Sequence, residues 1–501
     1  MSNPLAELAD CTRQLALAPH DGKLWCRVGF LYLQVHEVEE GLNTFLAAQQ
    51  IAPGQGDAYY GESIARLKLG EPDAALAALG RAMRLAPHDQ RLFSAYAYLC
   101  QATGQAPETV LAAYRDWARR FAEPLKPAKR EACGRRPGNG KIRIGYLSAD
   151  FRQHALMNFF NPVLEHHDRT QFEIVAFFAG TADERTATIR QRFDHWNDVA
   201  RLNDAELAAL IRRRGIDLLV DLSGHTDGSR LLAVARQPAP VQLTWYGYNG
   251  TTGLSAMDGR LTDAVMDPPG NEAWSVEPLV RLPHFACFEP PAEAPEPGPA
   301  PCQTNGYVTF GSLNNAQKLS PATLHCWGEL LHAVPHSRLL LIGPHAPTAG
   351  QALADHLLTR LAASGIPVDR VDLLPQQSLA DFLALGRRID IALEPFPLSG
   401  AVTTAQALWL GLPCITLAGR LPAERAAAAI LAAAGQPQWI ATSTADYQRL
   451  AGELAADPAR LQEIRAGLRP GLAASPLLDH AGFTRQLEAC FRQLHEAARP
   501  C

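Results

Sequence analysis

Aromatic and small apolar positions in the first 120 residues repeat in step with proline. Pro19, Pro53 and Pro87 follow Leu-Ala, Ile-Ala and Leu-Ala and stand thirty-four residues apart. Counting back from Pro53, the aromatic and small positions fall on Trp25, Gly29, Tyr32, Phe45 and Ala48, and the next unit keeps Tyr59, Ala75 and Ala82. Small residues let two helices approach closely, aromatics fill the space between them, and proline stops each second helix. From residue 141 the pattern changes period. Short β-rich runs at 142–148, 172–178, 217–222 and 241–246 alternate with helical stretches, and after a break the alternation restarts at 307–312, 338–343, 370–374, 390–394 and 413–417.

A thirty-four-residue period is that of tetratricopeptide helix pairs. The array is short: half a unit at 5–18, two clear units, and a decayed third through Tyr96 to Trp117. Each repeat buries its face only against its neighbours, so such a stub needs a partner surface, most simply the module that follows. The two later sets of strands predict two doubly wound lobes whose ligands bind at the carboxyl ends of the strands, in a cleft between them. The expected division is 1–122 repeats, 123–140 linker, 141–289 first lobe, 290–306 a Pro/Ala/Glu-rich linker that is extended and mobile, 307–475 second lobe and 476–501 a C-terminal helix.

Composition narrows the function. At 501 residues, 47% hydrophobic and 19% charged, the chain reads as soluble, with no apolar run of the ~20 residues a membrane span requires. A formal charge of −5 without a dense basic block leaves nucleic acid no electrostatic footprint. Ten cysteines without a C-x-x-C pair argue against a zinc ribbon or a disulfide scaffold, and the N-terminus lacks the basic start and apolar core of a secretory signal. Cytoplasmic residence is the expectation.

Candidate chemistry collects at strand ends. There is no G-x-x-x-x-G-K-[ST] loop, no strand followed by G-x-G-x-x-G, and no D-x-D, so a diphosphate leaving group is expected to be neutralised by protein groups and not by a metal. In the second lobe, Pro395-Phe-Pro-Leu-Ser-Gly-Ala-Val-Thr-Thr-Ala-Gln406 is a turn opening a helix. Its free amides and the hydroxyls of Ser399, Thr403 and Thr404 suit a diphosphate, although Ser and Thr more often merely cap helices. Lys318, in Asn314-Asn315-Ala-Gln-Lys318, follows another strand and can reach the same phosphates; the bland alternative is a solvated loop lysine. In the first lobe, Ser148-Ala-Asp150-Phe-Arg-Gln-His154 places a carboxylate and an imidazole at a strand end, where His154 can take a proton near pH 7. His225 ends another strand in the same way, and Gly247-Tyr248-Asn-Gly-Thr-Thr252-Gly is a turn where backbone can approach a ligand. A packed histidine and a structural loop are the alternatives there.

Together these segments resemble the intracellular protein O-glycosyltransferases that include O-GlcNAc transferase and the SPINDLY O-fucosyltransferases. The resemblance rests on Gly-Tyr-Leu-Ser-Ala-Asp-Phe-(x)3-His at 145–154, Gly-His-Thr at 224–226, Arg-Gln-Pro-Ala-Pro-Val-Gln-Leu-Thr-Trp at 236–245, Thr-Phe-Gly-Ser-Leu-Asn-Asn-(x)2-Lys at 309–318 and the Thr-Thr helix at 403, and it spans nearly the whole chain. It implies an α/β GT-B fold of two Rossmann-like lobes, preceded here by an all-α repeat segment. It also implies metal-independent transfer, with inversion, from UDP-GlcNAc or GDP-fucose to Ser or Thr of protein acceptors. On that resemblance Lys318 stabilises the departing diphosphate, and His154, with Asp150 beside it, is base or acceptor positioner. Asn314, Asn315, Ser399, Thr403, Thr404 and Gln406 hold the donor, while His225, Gly247, Tyr248 and Thr252 line the acceptor cleft. Lys318→Ala is expected to abolish transfer. Three positions depart from the pattern: Gln406 stands where both branches carry a carboxylate, Ala401-Val402 where the GlcNAc branch has a histidine, and Leu421-Pro422 where a polar group is expected. These departures keep open a second reading, a scaffold that binds nucleotide sugar or protein without turnover. A third, a GT-B epimerase or small-molecule transferase, leaves the repeats unexplained.

Overall fold

The computed structural model describes residues 3–130, 140–343 and 351–498. The sequence begins as helix pairs: α1 Pro4–Leu17, α2 Gly22–Gln34, α3 Val38–Ile51, α4 Gly56–Leu69, α5 Pro72–Leu85, α6 Gln90–Ala102 and α7 Pro107–Trp117. Local chemistry sets their ends. Asp21 and Asp89 accept hydrogen bonds from first-turn amides of α2 and α6, and Pro72 and Pro107 open α5 and α7, where a missing N–H costs nothing. Gly29 and Gly61 face the buried Phe45 ring, and a Cβ on either would lie within 2.8 Å of ring carbons, so these helices cross as closely as they do because the side chains stop at hydrogen. The third pair, α6 with α7, begins at Gln90, so the decayed unit is structurally complete.

Among the described residues the strands form two parallel sheets. The first holds β1 Ile142–Ser148, β2 Phe172–Phe178, β3 His195–Asp198, β4 Leu218–Asp221, β5 Val241–Thr244, β6 Gly259–Thr262 and β7 Leu279–Arg281, in the order β3-β2-β1-β4-β5-β6-β7. The second holds β8 Thr309–Ser312, β9 Arg338–Ile342, β10 Val371–Leu374, β11 Ile391–Leu393, β12 Cys414–Leu417 and β13 Ile440–Ala441, in the order β10-β9-β8-β11-β12-β13. Both are the doubly wound topology that reverses direction beside the first strand. Nine of the strands stand where the pattern predicted; β3, β6, β7 and β13 were not foreseen.

The repeats are not an appendage. Phe93, Leu99 and Trp117 share one buried cluster with Leu147, Ile216 and Leu219 of the first lobe, which is the partner surface a short array requires. The segment 290–306 differs from expectation. It is pinned, and its end coils into the short helix Cys302–Asn305: Arg465 donates to the carbonyls of Gly298 and Ile389, Arg469 to those of Pro295 and Trp409, and Ala300 N–H donates to Gln462. Of the other linker, residues 131–139 lie outside the described residues; before them Lys126 bonds Ser255 and Arg130 bonds Asp258, holding the chain on the first lobe.

The C-terminal helix His480–Ala497 returns to the first lobe and packs on α8, Met157–His166. There Glu488 accepts from His167 Nδ1 (2.9 Å) and from the Asp168 amide (2.8 Å), and His167 Nε2 meets the Tyr146 hydroxyl at 2.8 Å, all out of contact with water. The chain therefore crosses between lobes twice, and the two crossings are bonded to each other: Phe288 N–H donates to Leu477 O at 2.9 Å, and His480 Nε2 to Phe288 O at 2.7 Å. No helix among the described residues is long and apolar enough to cross a membrane.

Candidate functional site

The carboxyl ends of β8 and β11 build the second lobe's part of the site. β11 runs Ile391-Ala-Leu and stops at Glu394, a carboxylate 3% exposed. A charge that deep needs donors around it, and it has them. One oxygen accepts from Asn314 Nδ2 (3.1 Å) and the Gly400 amide (2.6 Å), the other from the Thr404 hydroxyl (2.8 Å). Asn314 turns its carbonyl oxygen outward to accept from Lys318 Nζ and the Thr403 hydroxyl, each at 3.2 Å. Lys318 Nζ also donates to the Ser399 carbonyl at 3.0 Å. Burial holds the Lys318 ammonium below the usual lysine range, and the charge of Glu394 opposes that shift.

The surrounding loops are equally tied. Both backbone groups of Phe396 are engaged by Thr323, and Ser320 adds a second bond to its carbonyl, so the turn after β11 is clasped by the start of the helix after β8. The helix Val402–Trp409 opens with no side-chain cap, which leaves its first-turn amides facing the site. Glu394 was not singled out from the sequence; an acid closing an otherwise apolar strand was the available signal.

Beside this network lies a cavity of about 470 Å³ whose floor includes Asn314, Asn315, Gln317 and Gln406 and whose far wall carries Gln376, Gln377 and Phe382. Among the described residues the lining contains side-chain amides and cations but no carboxylate. Its remaining wall is unexpected. His36, Val38, Lys68 and Leu69 of the repeat array close it.

In the first lobe, Asp150 and His154 follow β1. Asp150 is 6% exposed, with Arg152 at 3.5 Å and His154 Nδ1 at 3.8 Å from its oxygens. The His154 side chain is 42% exposed, and its Nδ1 accepts from the Leu156 amide at 3.2 Å. Burial lowers its pKa below the ordinary imidazole value, Asp150 opposes that and Arg152 adds to it, so the ring is neutral at pH 7 with its proton on Nε2.

The other first-lobe candidates stand elsewhere. His225 is enclosed where the repeats meet the lobe: Nδ1 accepts from the Ser94 hydroxyl at 2.8 Å, Nε2 donates to Thr252 O at 2.8 Å, and Trp117, Tyr114 and Tyr248 ring it at centroid distances of 4.6, 4.9 and 5.7 Å. Burial pushes its pKa down to about 4. Tyr248 bonds Gln101, and Thr252 bonds the buried Glu277. A Cβ on Gly247 would sit 1.6 Å from Leu222 O, so glycine serves chain packing at that turn. Of these four residues, expected to line an acceptor cleft, His225 and Tyr248 bond the repeats through Ser94 and Gln101, while Gly247 and Thr252 pack within the lobe. Leu421 explains one departure from the sequence pattern: it reaches from the second lobe into the same apolar cluster, against Ala97, Cys100, Val110 and Tyr114.

With the geometry in view, similarity to known proteins is informative. The pattern of glycosyl transferase family 41 matches residues 126–286 and 303–487. A tomato protein (Solanum lycopersicum) named probable UDP-N-acetylglucosamine–peptide N-acetylglucosaminyltransferase SPINDLY is 37% identical over 389 residues, 76% of this chain and 42% of the relative. The Arabidopsis thaliana protein of the same designation named SEC is 28% identical over 379 residues, covering 73% and 38%. The chain thus spans less than half the length of these curated relatives. A lysine-to-methionine variant of Thermobaculum terrenum O-GlcNAc transferase superposes with a TM-score of 0.90 at 33% identity, covering 99% of this chain and 94% of that one.

Proposed function

The chain belongs to glycosyl transferase family 41, and from that premise we propose that it moves a sugar from a nucleoside-diphosphate donor to a Ser or Thr hydroxyl of a protein acceptor. The observation that carries the reading is the setting of Lys318. Its ammonium is held by Asn314 and the Ser399 carbonyl near the uncapped start of the helix Val402–Trp409, and its neighbours Asn314, Asn315 and Gln317 line a cavity with no carboxylate among its described lining residues. Such a place holds a diphosphate, and it needs no metal to do so. The nucleoside lies along the amide-lined wall, with Gln376, Gln377 and Gln406 offering neutral donors and acceptors to base and ribose.

The reaction is a displacement at the anomeric carbon. The acceptor oxygen attacks from the face opposite the diphosphate, the bond to the diphosphate oxygen breaks, and negative charge grows on that oxygen. Lys318 and the first-turn amides meet that growing charge, with Thr403 at hand through Asn314. Glu394 is a positioning residue. It grips Asn314, Gly400 and Thr404 at once and so sets where Lys318 and the helix start point. His154, with Nδ1 occupied by the Leu156 amide, presents Nε2–H to the acceptor and orients it; taking the acceptor's proton requires the ring to exchange that bond for one from Nδ1–H to Asp150.

A panel of UDP- and GDP-sugars, assayed for transfer to peptide and for donor hydrolysis with wild type and Lys318→Ala, tests this. Turnover of UDP-GlcNAc or GDP-fucose that disappears in the variant is the expected result; unaltered turnover in the variant removes Lys318 from the mechanism. The scaffold reading keeps one observation in its favour, the neutral Gln406 at the cavity floor. Nucleotide binding with silence across the whole panel decides for it.

A further inference from the structure

The wall that the repeats give to the cavity is built, not incidental. α4 ends at Leu69 and turns through Gly70 in the left-handed conformation (φ +74°), where a Cβ would collide with the Arg360 guanidinium at 2.1 Å. Helix Gln351–Ala363 of the second lobe receives that end: His356 Nε2 donates to Leu69 O at 2.9 Å, and Arg360, lying on Gly70, donates to Leu319 O at 2.6 Å. α4 also touches the turn Ala316–Lys318. The Arg360 cation and the His356 donor of the lining are thus spent on backbone carbonyls. Lys68, half-buried one residue before Leu69, is not: it has no hydrogen bond and no ion pair among the described residues. An ammonium desolvated this far without a counter-charge is unfavourable, and burial holds its pKa below the usual lysine range.

Resting on the reading that this cavity holds the donor, we propose that Lys68 is a donor-binding residue supplied by the repeat array, its ammonium pairing with the diphosphate of the bound nucleotide beside the turn that carries Lys318. The array is then part of the donor site as well as a partner of the first lobe. Lys318 meets charge that grows as the sugar leaves, whereas Lys68 meets charge already present in the bound donor. Its loss therefore falls on affinity more than on turnover.

The test is calorimetric titration of the full chain with UDP and with GDP, beside donor KM and kcat, for wild type, Lys68→Met, Lys68→Arg and Lys318→Ala. Lys68→Met is expected to weaken binding of whichever nucleotide the wild type takes by about tenfold to a hundredfold, as loss of a charge-assisted hydrogen bond does. Donor KM rises by much more than kcat falls, and Lys68→Arg recovers most of the affinity. Lys68→Met binding as tightly as wild type overturns the proposal and leaves the transferase reading standing. So does weakened binding that Lys68→Arg fails to recover, when the nucleotide-free melting temperature has dropped as well, because the residue is then holding up the α4 contact. Wild type that binds neither nucleotide and turns over no donor overturns both readings together.

Discussion

Two strand-end loops face the chemistry, and they are held very differently. The loop after β11 is organised around one buried carboxylate, with Asn314, Gly400 and Thr404 bonded to Glu394 and the neighbouring turn clasped by Thr323 and Ser320. The loop after β1 carries a half-exposed imidazole whose nearest carboxylate oxygen is 3.8 Å away. The difference teaches where this fold invests its order. Groups that stabilise a leaving diphosphate must already point correctly when charge moves, because reorganising them then would cost what they are meant to supply. A group that receives a varied protein hydroxyl is completed by the acceptor itself.

Substitutions on each side measure that contrast. Lys318→Ala removes the aimed charge, and kcat is expected to fall by about 10²–10³ or more, the cost of about 2.7–4 kcal/mol for one such stabiliser; single-turnover assays at saturating donor measure it. Glu394→Gln keeps the shape but deletes the charge that balances Lys318 and one acceptor lone-pair set. A loss of about 1.5–3 kcal/mol, roughly ten- to a hundredfold in kcat, is expected there. An effect on melting temperature with none on kcat would show that Glu394 merely supports the lobe. On the loose side, His154→Asn should cost roughly tenfold, less than the ~10²–10⁴ typical of a positioned acid or base, because the ring orients the acceptor. Its signature is in the pH profile. The neutral ring is the working form, so wild-type kcat is flat at neutral pH and falls only as pH drops through a pKa below the ordinary 6.5; the variant lacks that acid limb. A shared limb assigns it to another group.

The smallest effect on catalysis belongs to His225. Its ring is neutral in the fold, with a pKa of about 4 against about 6.5 unfolded. The unfolded chain therefore binds more protons between those values, and the stability contribution, complete above pH 6.5, is lost as pH falls toward 4, up to about 3 kcal/mol. Asp221, raised to about 6 by the same burial, acts in the opposite sense above 3.8 and flattens the bulk curve. The difference in chemical-denaturation stability between wild type and His225→Gln isolates the histidine. It should shrink on acidification while kcat at pH 7 changes by less than about twofold; a large loss of kcat returns His225 to the cleft.

How far the sequence could be read follows from which forces act locally. β1 and β2 stand residue for residue where the pattern puts them because, past a single charged residue in each (Arg143, Glu173), a parallel strand buried on both faces reads as a mostly apolar run. β3 reads His-Trp-Asn-Asp, and β6 contains Arg260, which is affordable only through its buried pair with Asp267 (2.8 Å), a partner no local pattern reveals. Lys318, Asn314 and the threonine pair stood out because they lie within short, dense motifs. Glu394 did not, since the partner that ties it to Lys318, Asn314, lies eighty residues upstream, and Lys68 reaches the cavity from some 250 residues before Lys318. His225 and the Gly247–Gly253 turn misled for a related reason. A glycine-rich turn beside a histidine looks the same in sequence whether a ligand or a helix fills the space, and here α6 and α7 fill it. The 290–306 segment has a linker's composition, but composition is silent on Arg465 and Arg469, which pin it from the far end of the chain.

The bonded crossings between the lobes have a kinematic consequence. Two tethers set apart would act as a brace, resisting opening in every direction. Here Phe288, Leu477 and His480 tie both passages of the chain at one seam, so the crossings act as a single pin. Any rotation between the lobes about that pin would move the strand-end loops together or apart. Away from the pin the lobes are joined directly, Arg425 donating to Val265 O and Asn271 to Arg420 O, and through the repeats at Leu421 and Leu69. The helical array is thereby a stay on the swing, and shortening it should show first as a change in how far the two sheets open.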